Sequence, residues 1–290
     1  MRVVRPETIA ETLRHLDEAG EDTKIIAGGT ALMLMMRNGL LFPDQLIALD
    51  RVSELDYIAV EQGTVRLGAL TSLRAMERSS ELRSVLPTLT ATLSLVANHR
   101  VRQRATIGGN VSEADYASDP PSVLTVLGCS VRVVSSSGER VVPLSDFLVS
   151  YYETALEPDE LVTEVLVPRP SPTARTTYIK YVSRSAEDRP CVGIAAYLDV
   201  DESGNCTDVR VAVAGATATP FTLPDINTAF AGGRVDVGSW REIAEAYSST
   251  INPIDDARGT ATYRKHVVGQ LVQRALETAS NQQVNGAFRL

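Results

Sequence analysis

Two glycine pairs are the residues of this 290-residue chain whose type and spacing best suit ligand binding. Gly28 and Gly29 lie between an apolar run and helix-forming residues, and Gly108 and Gly109 form a similar small-residue loop about eighty positions later. The first amides of a helix have no partner within it, and glycine lets the backbone come close to an anion. One pair alone is typical of an ordinary turn, but two such loops predict a cradle for one dinucleotide.

Motifs for other kinds of catalysis are absent from the sequence. It contains no Gly-x-Ser-x-Gly turn of a hydrolase, no lysine placed after the glycines as in a phosphate-binding loop, and no Gly-x-Gly-x-x-Gly of a nicotinamide site. His15, His99 and His266 lack metal-ligand spacing and are interpreted as structural. A dinucleotide would therefore bind on an architecture other than the Rossmann fold.

Composition excludes further classes of protein. The 28 Lys and Arg residues against 36 Asp and Glu give a net charge of −8, which disfavours a nucleic-acid partner. Cys129, Cys191 and Cys206 are too widely spaced for an iron–sulfur or zinc framework, so no metal site is expected here. Because no apolar stretch resembles a membrane span or a signal peptide, we expect a cytoplasmic protein.

Hydrophobic periodicity predicts alternating helices and strands before a proline-rich boundary at 168–172. Leu32, Met35 and Met36 are expected to pack inward from a short helix at 32–37. The other predicted elements are helices at 7–19, around 73–76, at 82–97 and at 120–127, strands at 24–26, 46–49, 57–60, 64–67, 131–134, 140–142 and 160–167, and an irregular segment at 111–119.

Beyond the prolines, three β-rich runs precede three helices. The runs at 176–182, 192–200 and 209–214 predict an antiparallel sheet, and the helices are expected at 225–231, 240–247 and 260–279. Because strands come before helices, the C-terminal part is predicted to be α+β.

Five ordered motifs resemble the FAD-binding medium subunit of molybdenum hydroxylases, the family of aerobic carbon monoxide dehydrogenase and xanthine dehydrogenase. The resemblance extends from about residue 4 to 276, and the set of motifs is specific although each alone is not. The motifs are Ala27-Gly28-Gly29-Thr30, Leu67-Gly68-Ala69-Leu70-Thr71, the run 101–110 with Ala117-Ser118-Asp119, Asp255-Asp256-Ala257-Arg258-Gly259 with Tyr263-Arg264, and the run 271–276.

The resemblance implies an α+β fold. A two-part FAD-binding domain (vanillyl-alcohol-oxidase/PCMH-like) is expected at 1–170, with subdomains at about 1–56 and 57–170. A C-terminal flavoprotein domain of the carbon monoxide dehydrogenase type, an antiparallel sheet with helices, is expected at 171–290.

The resemblance also implies which residues hold FAD. The pyrophosphate would lie against the backbone amides of both glycine loops, which comprise Ala27, Gly28, Gly29, Thr30, Ala31, Thr106, Ile107, Gly108, Gly109 and Asn110. The arginines at 100, 102 and 104, just before the second loop, either neutralise phosphates or cap a helix, and capping is favoured for each taken singly.

Four residues outside the loops also fall at family positions. Asp119 is expected to accept hydrogen bonds from ribose or ribityl hydroxyls, which is compatible with capping the helix that follows it. Thr71 is expected near the flavin, and Lys180 is either near the flavin or an ordinary surface lysine on a strand. Leu161 would line the apolar wall of the pocket or belong to the core.

Two residues depart from the family pattern. Ala31 stands where a serine or aspartate is common, and Tyr116 replaces a frequent proline. Loss of one neutral hydrogen bond, about 0.5–1.5 kcal/mol, would weaken FAD binding about tenfold without abolishing it.

The resemblance implies an electron-transfer subunit with no catalytic acid or base of its own. Electrons would pass from the [2Fe-2S] clusters of a small subunit, after substrate oxidation at the molybdopterin of a large subunit, through FAD to an external acceptor. The three subunits would assemble as a dimer of heterotrimers. The alternative, prompted by Ala31 and Tyr116, is a stand-alone protein: a self-contained flavoenzyme or a pocket catalysing a non-redox rearrangement.

Overall fold

The chain begins with a small parallel sheet flanked by helices. A computed structural model describes residues 1–20, 22–185, 187–281 and 286–289. Its first elements are β1 (Arg2–Val4), α1 (Ile9–Asp17), β2 (Thr23–Ile26), α2 (Leu32–Arg37) and β3 (Gln45–Ala48), followed by a 3-10 turn (Ser53–Leu55). β3 lies between β1 and β2 and is parallel to both. α1 packs Leu13 and Leu16 into the same core as Ile47.

A five-stranded antiparallel sheet and a group of short helices follow. The elements are β4 (Ile58–Val60), β5 (Thr64–Gly68), α3 (Leu73–Arg78), α4 (Ser80–Val85), α5 (Pro87–Ser94), α6 (His99–Arg104), α7 (Ile107–Glu113), α8 (Pro120–Val126), β6 (Ser130–Ser135), β7 (Gly138–Pro143), α9 (Leu144–Phe147), β8 (Leu148–Ser150), β9 (Glu153–Thr154) and β10 (Leu161–Pro168). The strands of the five-stranded sheet lie in the order β4-β5-β10-β6-β7, and β8 and β9 form a separate two-stranded hairpin.

Three predicted segments in this region differ from the structure. The single helix expected at 82–97 is divided into α4 and α5 at Leu86, whose backbone is not helical (φ −131°, ψ 58°). Pro87 causes the break, since a proline lacks the N–H of a helix interior and disfavours the helical conformation in the residue before it. The segment expected to be irregular from 111 is helical as far as Glu113, and the loop expected at 106–110 is the first turn of that helix, α7.

The expected inward packing of α2 was only partly correct. Leu32, Met35 and Met36 are half-buried and no residue of this helix is fully buried, while the neighbouring Met33 and Leu34 are 50% and 54% exposed. The apolar composition of α2 reflects its position at the edge of a cleft, because Leu32, Leu34 and Met35 line that cleft.

The C-terminal part is a four-stranded sheet covered by two long helices. The elements are β11 (Arg175–Tyr181), β12 (Val192–Val200), β13 (Cys206–Ala214), α10 (Asp225–Phe230), α11 (Val237–Thr250), α12 (Ala261–Asn281) and β14 (Gly286–Arg289). β12 pairs antiparallel with β11 and β13, as the β-rich runs predicted, while β14 joins the edge of the sheet parallel to β11. Trp240 of α11 and Leu271 of α12 are buried in the core beneath the sheet. The α+β fold is thus confirmed.

β11 joins the two parts through its two faces. Successive side chains of a strand point to opposite faces. Ile179 therefore packs in the core with α11 and α12, whereas Tyr178 packs in the core of the five-stranded sheet. Thr176, on the same face as Tyr178, hydrogen-bonds Thr88 of α5 at 2.7 Å. In the described ranges, no helix is long and apolar enough to cross a membrane.

Candidate functional site

A cleft of about 1350 Å³ lies between the parallel sheet, α7 and the start of the C-terminal sheet. It exceeds the roughly 300–1,000 Å³ of pockets that hold drug-sized ligands. The predicted site residues that line it are Ala27, Gly28, Gly29, Thr30, Ala31, Thr106, Gly108, Gly109, Asn110, Asp119, Leu161 and Lys180. The fold thus brings both glycine segments, 80 positions apart in the chain, to one cavity.

Thr71 and Ile107 are not among the residues that line this cleft. Ile107 is fully buried in the core. The Thr71 hydroxyl, also buried, donates to the Tyr57 carbonyl at 2.7 Å and accepts from the Tyr57 amide at 3.1 Å. These two residues are therefore buried next to residues that line the cleft, without lining it themselves.

The first glycine segment, residues 27–31, connects β2 to α2. Gly29 has φ +71°, a conformation that glycine adopts at little cost. A Cβ on Gly28 would lie only 1.8 Å from the carbonyl oxygen of Arg104, so glycine is required for the approach of the two backbones. Within the described residues, no acceptor pairs with the amides of residues 28 to 31. Four adjacent N–H groups are therefore available to a ligand.

The second glycine segment, residues 106–110, uses its amides differently. The amides of Ile107 and Gly108 donate to the carbonyls of Thr71 and Ala69, 3.0 and 2.9 Å away. The Gly109 amide donates to the hydroxyl of Thr106, which caps α7, at 3.1 Å. The Asn110 amide donates to the Thr106 carbonyl at 2.9 Å. All four amides have acceptors within the protein, so a ligand in the cleft would contact the side chains and outer surface of this segment and not its N–H groups.

Asp119 and Lys180 form a buried ion pair at the deep end of the cleft. Lys180 Nζ lies 2.8 Å from Asp119 Oδ2 and 2.8 Å from the Leu95 carbonyl oxygen. The Tyr178 hydroxyl donates to Asp119 Oδ1 at 2.6 Å. Asp119 occupies the N-cap position of α8, but its side chain makes no cap hydrogen bond there. Lys180 is 0% exposed, so the surface-lysine interpretation was wrong.

Leu161 fits both of its interpretations. It lines the cleft, and it is also 3% exposed in the core shared by α1 and β3.

The arginines before the second segment do not line the cleft. Arg102 is buried and pairs with Glu77 at 2.8 Å. Its guanidinium also donates to the carbonyls of Val96 and Ala97, which follow α5. The structural interpretation holds for this arginine.

Tyr116, which departs from the family pattern, joins the two parts of the chain. Its hydroxyl donates to Asp256 at 3.0 Å and accepts from Arg258, whose guanidinium lies 5.1 Å from the centre of the ring. Ala31, the other departure, begins α2 without a side-chain cap. The first substitution has a structural role, and the second removes a polar group.

Backbone strain is concentrated at the cleft. In the described parts of the chain, the non-glycine residues with positive φ are Ala97 (42°), Ala114 (47°) and Tyr152 (57°). Ala97 and Tyr152 line the cleft, and the Tyr152 amide donates to the Ala114 carbonyl at 3.1 Å. Such strain is common at functional sites. Sequence reasoning missed Tyr152, since nothing in a Tyr-Tyr pair indicates a left-handed conformation.

The residues present fit FAD. A large cleft suits a pyrophosphate where four amides at the glycine pair have no acceptor among the described residues, and a buried carboxylate suits sugar or ribityl hydroxyls. A model for the FAD binding domain in molybdopterin dehydrogenase matches residues 1–170. The chain belongs to this family. A model for the CO dehydrogenase flavoprotein C-terminal domain matches residues 177–279.

Similar proteins cover this molybdopterin dehydrogenase flavoprotein almost end to end. The glyceraldehyde dehydrogenase medium chain of Sulfolobus acidocaldarius is 33% identical over 94% of this chain and 96% of its own length. The carbon monoxide dehydrogenase medium chain of Afipia carboxidovorans is 30% identical over 95% of each. A solved structure of carbon monoxide dehydrogenase from Hydrogenophaga pseudoflava matches with a TM-score of 0.92 and 29% identity over 97% of both chains.

Proposed function

We propose that this chain is the FAD-binding subunit of a multi-subunit molybdenum hydroxylase. The observation that carries the proposal is the cleft, where the unpaired amides of residues 28–31 and the Asp119 carboxylate lie in one cavity of a molybdopterin dehydrogenase fold. Bound FAD would supply redox chemistry, taking up electrons and passing them to an external acceptor. The protein's own task is then to bind and orient the cofactor.

The residues of the cleft divide this task between them. The amides of residues 28–31 bind the pyrophosphate, and Asp119 accepts hydrogen bonds from ribose or ribityl hydroxyls. Leu161 and the apolar residues of α2 shield the cofactor from water. Thr71 and Ile107 act indirectly, by holding the backbone of the second segment in place.

The partners follow from the same proposal. A small subunit with [2Fe-2S] clusters delivers electrons, a large subunit with molybdopterin oxidises the substrate, and the complex is a dimer of heterotrimers in the cytoplasm. The medium-chain names of full-length relatives support a subunit over a stand-alone enzyme. In this proposal the substrate is oxidised at the large subunit and does not contact this chain, which passes electrons to an external acceptor.

Cofactor binding is tested on the purified chain. We expect a yellow protein that takes up one FAD per chain and releases it on denaturation. A folded, colourless protein that does not bind added FAD would contradict the proposal.

Assembly is tested by co-expressing the chain with iron–sulfur and molybdopterin subunits encoded beside it. We expect a stable complex whose mass, measured by analytical ultracentrifugation, corresponds to two copies of each subunit. A chain that stays alone and turns over a substrate without partners would favour the stand-alone alternative instead.

A further inference from the structure

Tyr178 is a buried tyrosine whose hydroxyl serves a single carboxylate. It is 0% exposed, and its hydroxyl lies 2.6 Å from Asp119 Oδ1. The other carboxylate oxygen, Oδ2, accepts from Lys180 at 2.8 Å. Each oxygen of Asp119 therefore has its own donor, and both donors come from β11.

Two donors on different oxygens restrict the carboxylate more than one does. The terminal torsion angle of an aspartate has a broad, roughly two-fold distribution, so a single hydrogen bond leaves the plane of the carboxylate poorly defined. A tyrosine places its hydroxyl with only two side-chain torsions, whereas the lysine ammonium sits on a flexible four-carbon stem. Tyr178 is thus the more rigid of the two anchors.

The neighbouring strand is shaped to accommodate this hydroxyl. A Cβ on Gly193 of β12 would lie 2.4 Å from the Tyr178 hydroxyl oxygen. Burial and the charge of Asp119 raise the pKa of Tyr178 well above its ordinary value, so the hydroxyl keeps its proton and remains a donor. Space and protonation state both favour a fixed bond to Asp119.

We propose that Tyr178 is a positioning residue that fixes the orientation of Asp119 toward the hydroxyl groups of bound FAD, with Gly193 providing the space for its ring. This inference rests on the proposed FAD-binding function. A carboxylate has acceptor sites for about four hydrogen bonds, so the bonds from Tyr178 and Lys180 do not by themselves prevent Asp119 from accepting a cofactor hydroxyl.

A double-mutant cycle in FAD affinity tests the inference. We expect Tyr178→Phe, which removes only the hydroxyl, to weaken FAD binding about tenfold, and Asp119→Asn to weaken it about a hundredfold. If Tyr178 acts through Asp119, the double variant binds FAD no more weakly than Asp119→Asn alone. Dissociation constants come from titration of flavin fluorescence, with urea unfolding to show that each variant is folded.

Tyr247→Phe is the matched control. Tyr247 is an equally buried tyrosine whose hydroxyl contacts the Val211 carbonyl at 2.7 Å and the Leu223 amide at 3.0 Å, away from the cleft. We expect it to lower stability as Tyr178→Phe does and to leave FAD affinity unchanged.

A second variant covers the case in which the double variant fails to fold. Gly193→Ala should weaken FAD binding by displacing the Tyr178 hydroxyl, and it should have little further effect when combined with Tyr178→Phe. Additive effects in either cycle, or an equal loss of FAD with Tyr247→Phe, would overturn the inference and leave the proposed function intact. A wild-type chain that binds no FAD would overturn both.

Discussion

The two glycine segments share a sequence pattern but use their backbones in opposite ways. In residues 27–31 the amides from Gly28 to Ala31 have no acceptor within the described chain, whereas the amides from Ile107 to Asn110 all donate to other groups of the protein. The glycines also differ, since Gly28 permits the close approach of the backbone at Arg104 and Ala105, just before the second segment, and Gly108 permits contact with Ala69. The amides of the first segment are therefore available to an anion, whereas those of the second are used within the protein.

The largest effect is expected from Gly28→Ala. Its Cβ would lie 1.8 Å from the Arg104 carbonyl oxygen, and backbone cannot move aside as a side chain can. We expect a loss of about 3 kcal/mol in the free energy of unfolding and an about hundredfold loss of FAD affinity. Urea unfolding and FAD titration measure the two.

Gly233→Ala is the control for this substitution. A Cβ there would meet only the Phe230 carbonyl oxygen, at an ordinary 3.6 Å, so stability and FAD binding should change little. If both variants behave alike, the close approach of Gly28 to the Arg104 backbone has no energetic importance.

Gly108→Ala separates packing from ligand binding. Its Cβ would lie 2.5 Å from the Cβ of Ala69 and 2.8 Å from the Ala69 carbonyl oxygen. We expect a loss of about 1–3 kcal/mol in unfolding free energy from overpacking. FAD affinity of the folded fraction should fall much less than in Gly28→Ala. A larger loss of affinity here would reverse the roles of the segments.

Amide hydrogen exchange tests the comparison without any substitution. The amides of residues 28–31 should exchange rapidly in the FAD-free protein and at least about tenfold more slowly with FAD bound. Those of residues 107–110 should be protected in both states, because their hydrogen bonds lie within the protein. Equal rates for the two groups without FAD would contradict the difference described above.

The smallest effect is expected from Thr106→Val, which removes the hydroxyl that caps α7 while keeping the shape of the side chain. We expect a loss of about 1 kcal/mol in unfolding free energy, and FAD affinity changed by no more than about twofold. Thr30→Val, the equivalent change in the first segment, removes an exposed hydroxyl and should alter stability by less than about 0.5 kcal/mol. A thermal or urea unfolding series compares the pair.

The local sequence pattern predicted the helices and strands well, but it did not predict which distant residues contact each other. The strand, glycine pair and helix at 24–37 were predicted, as were the strands of the C-terminal sheet. The incomplete burial of α2 was not predictable, because its apolar residues line a cleft that exists only after the chain folds. Lys180 could not be recognised as buried, since its two partners lie 61 and 85 positions away.

The sequence by itself determined the fold class, the family and the two glycine segments that line the cleft. Those properties depend on local pattern and on ordered motifs, which can be read along the chain. Only the tertiary structure decided which segment has amides without an acceptor in the described chain, because the amides of Ile107 and Gly108 donate to the distant carbonyls of residues 71 and 69. A glycine pair is the same in sequence whether or not the folded chain supplies partners for its N–H groups, and that supply depends on long-range packing.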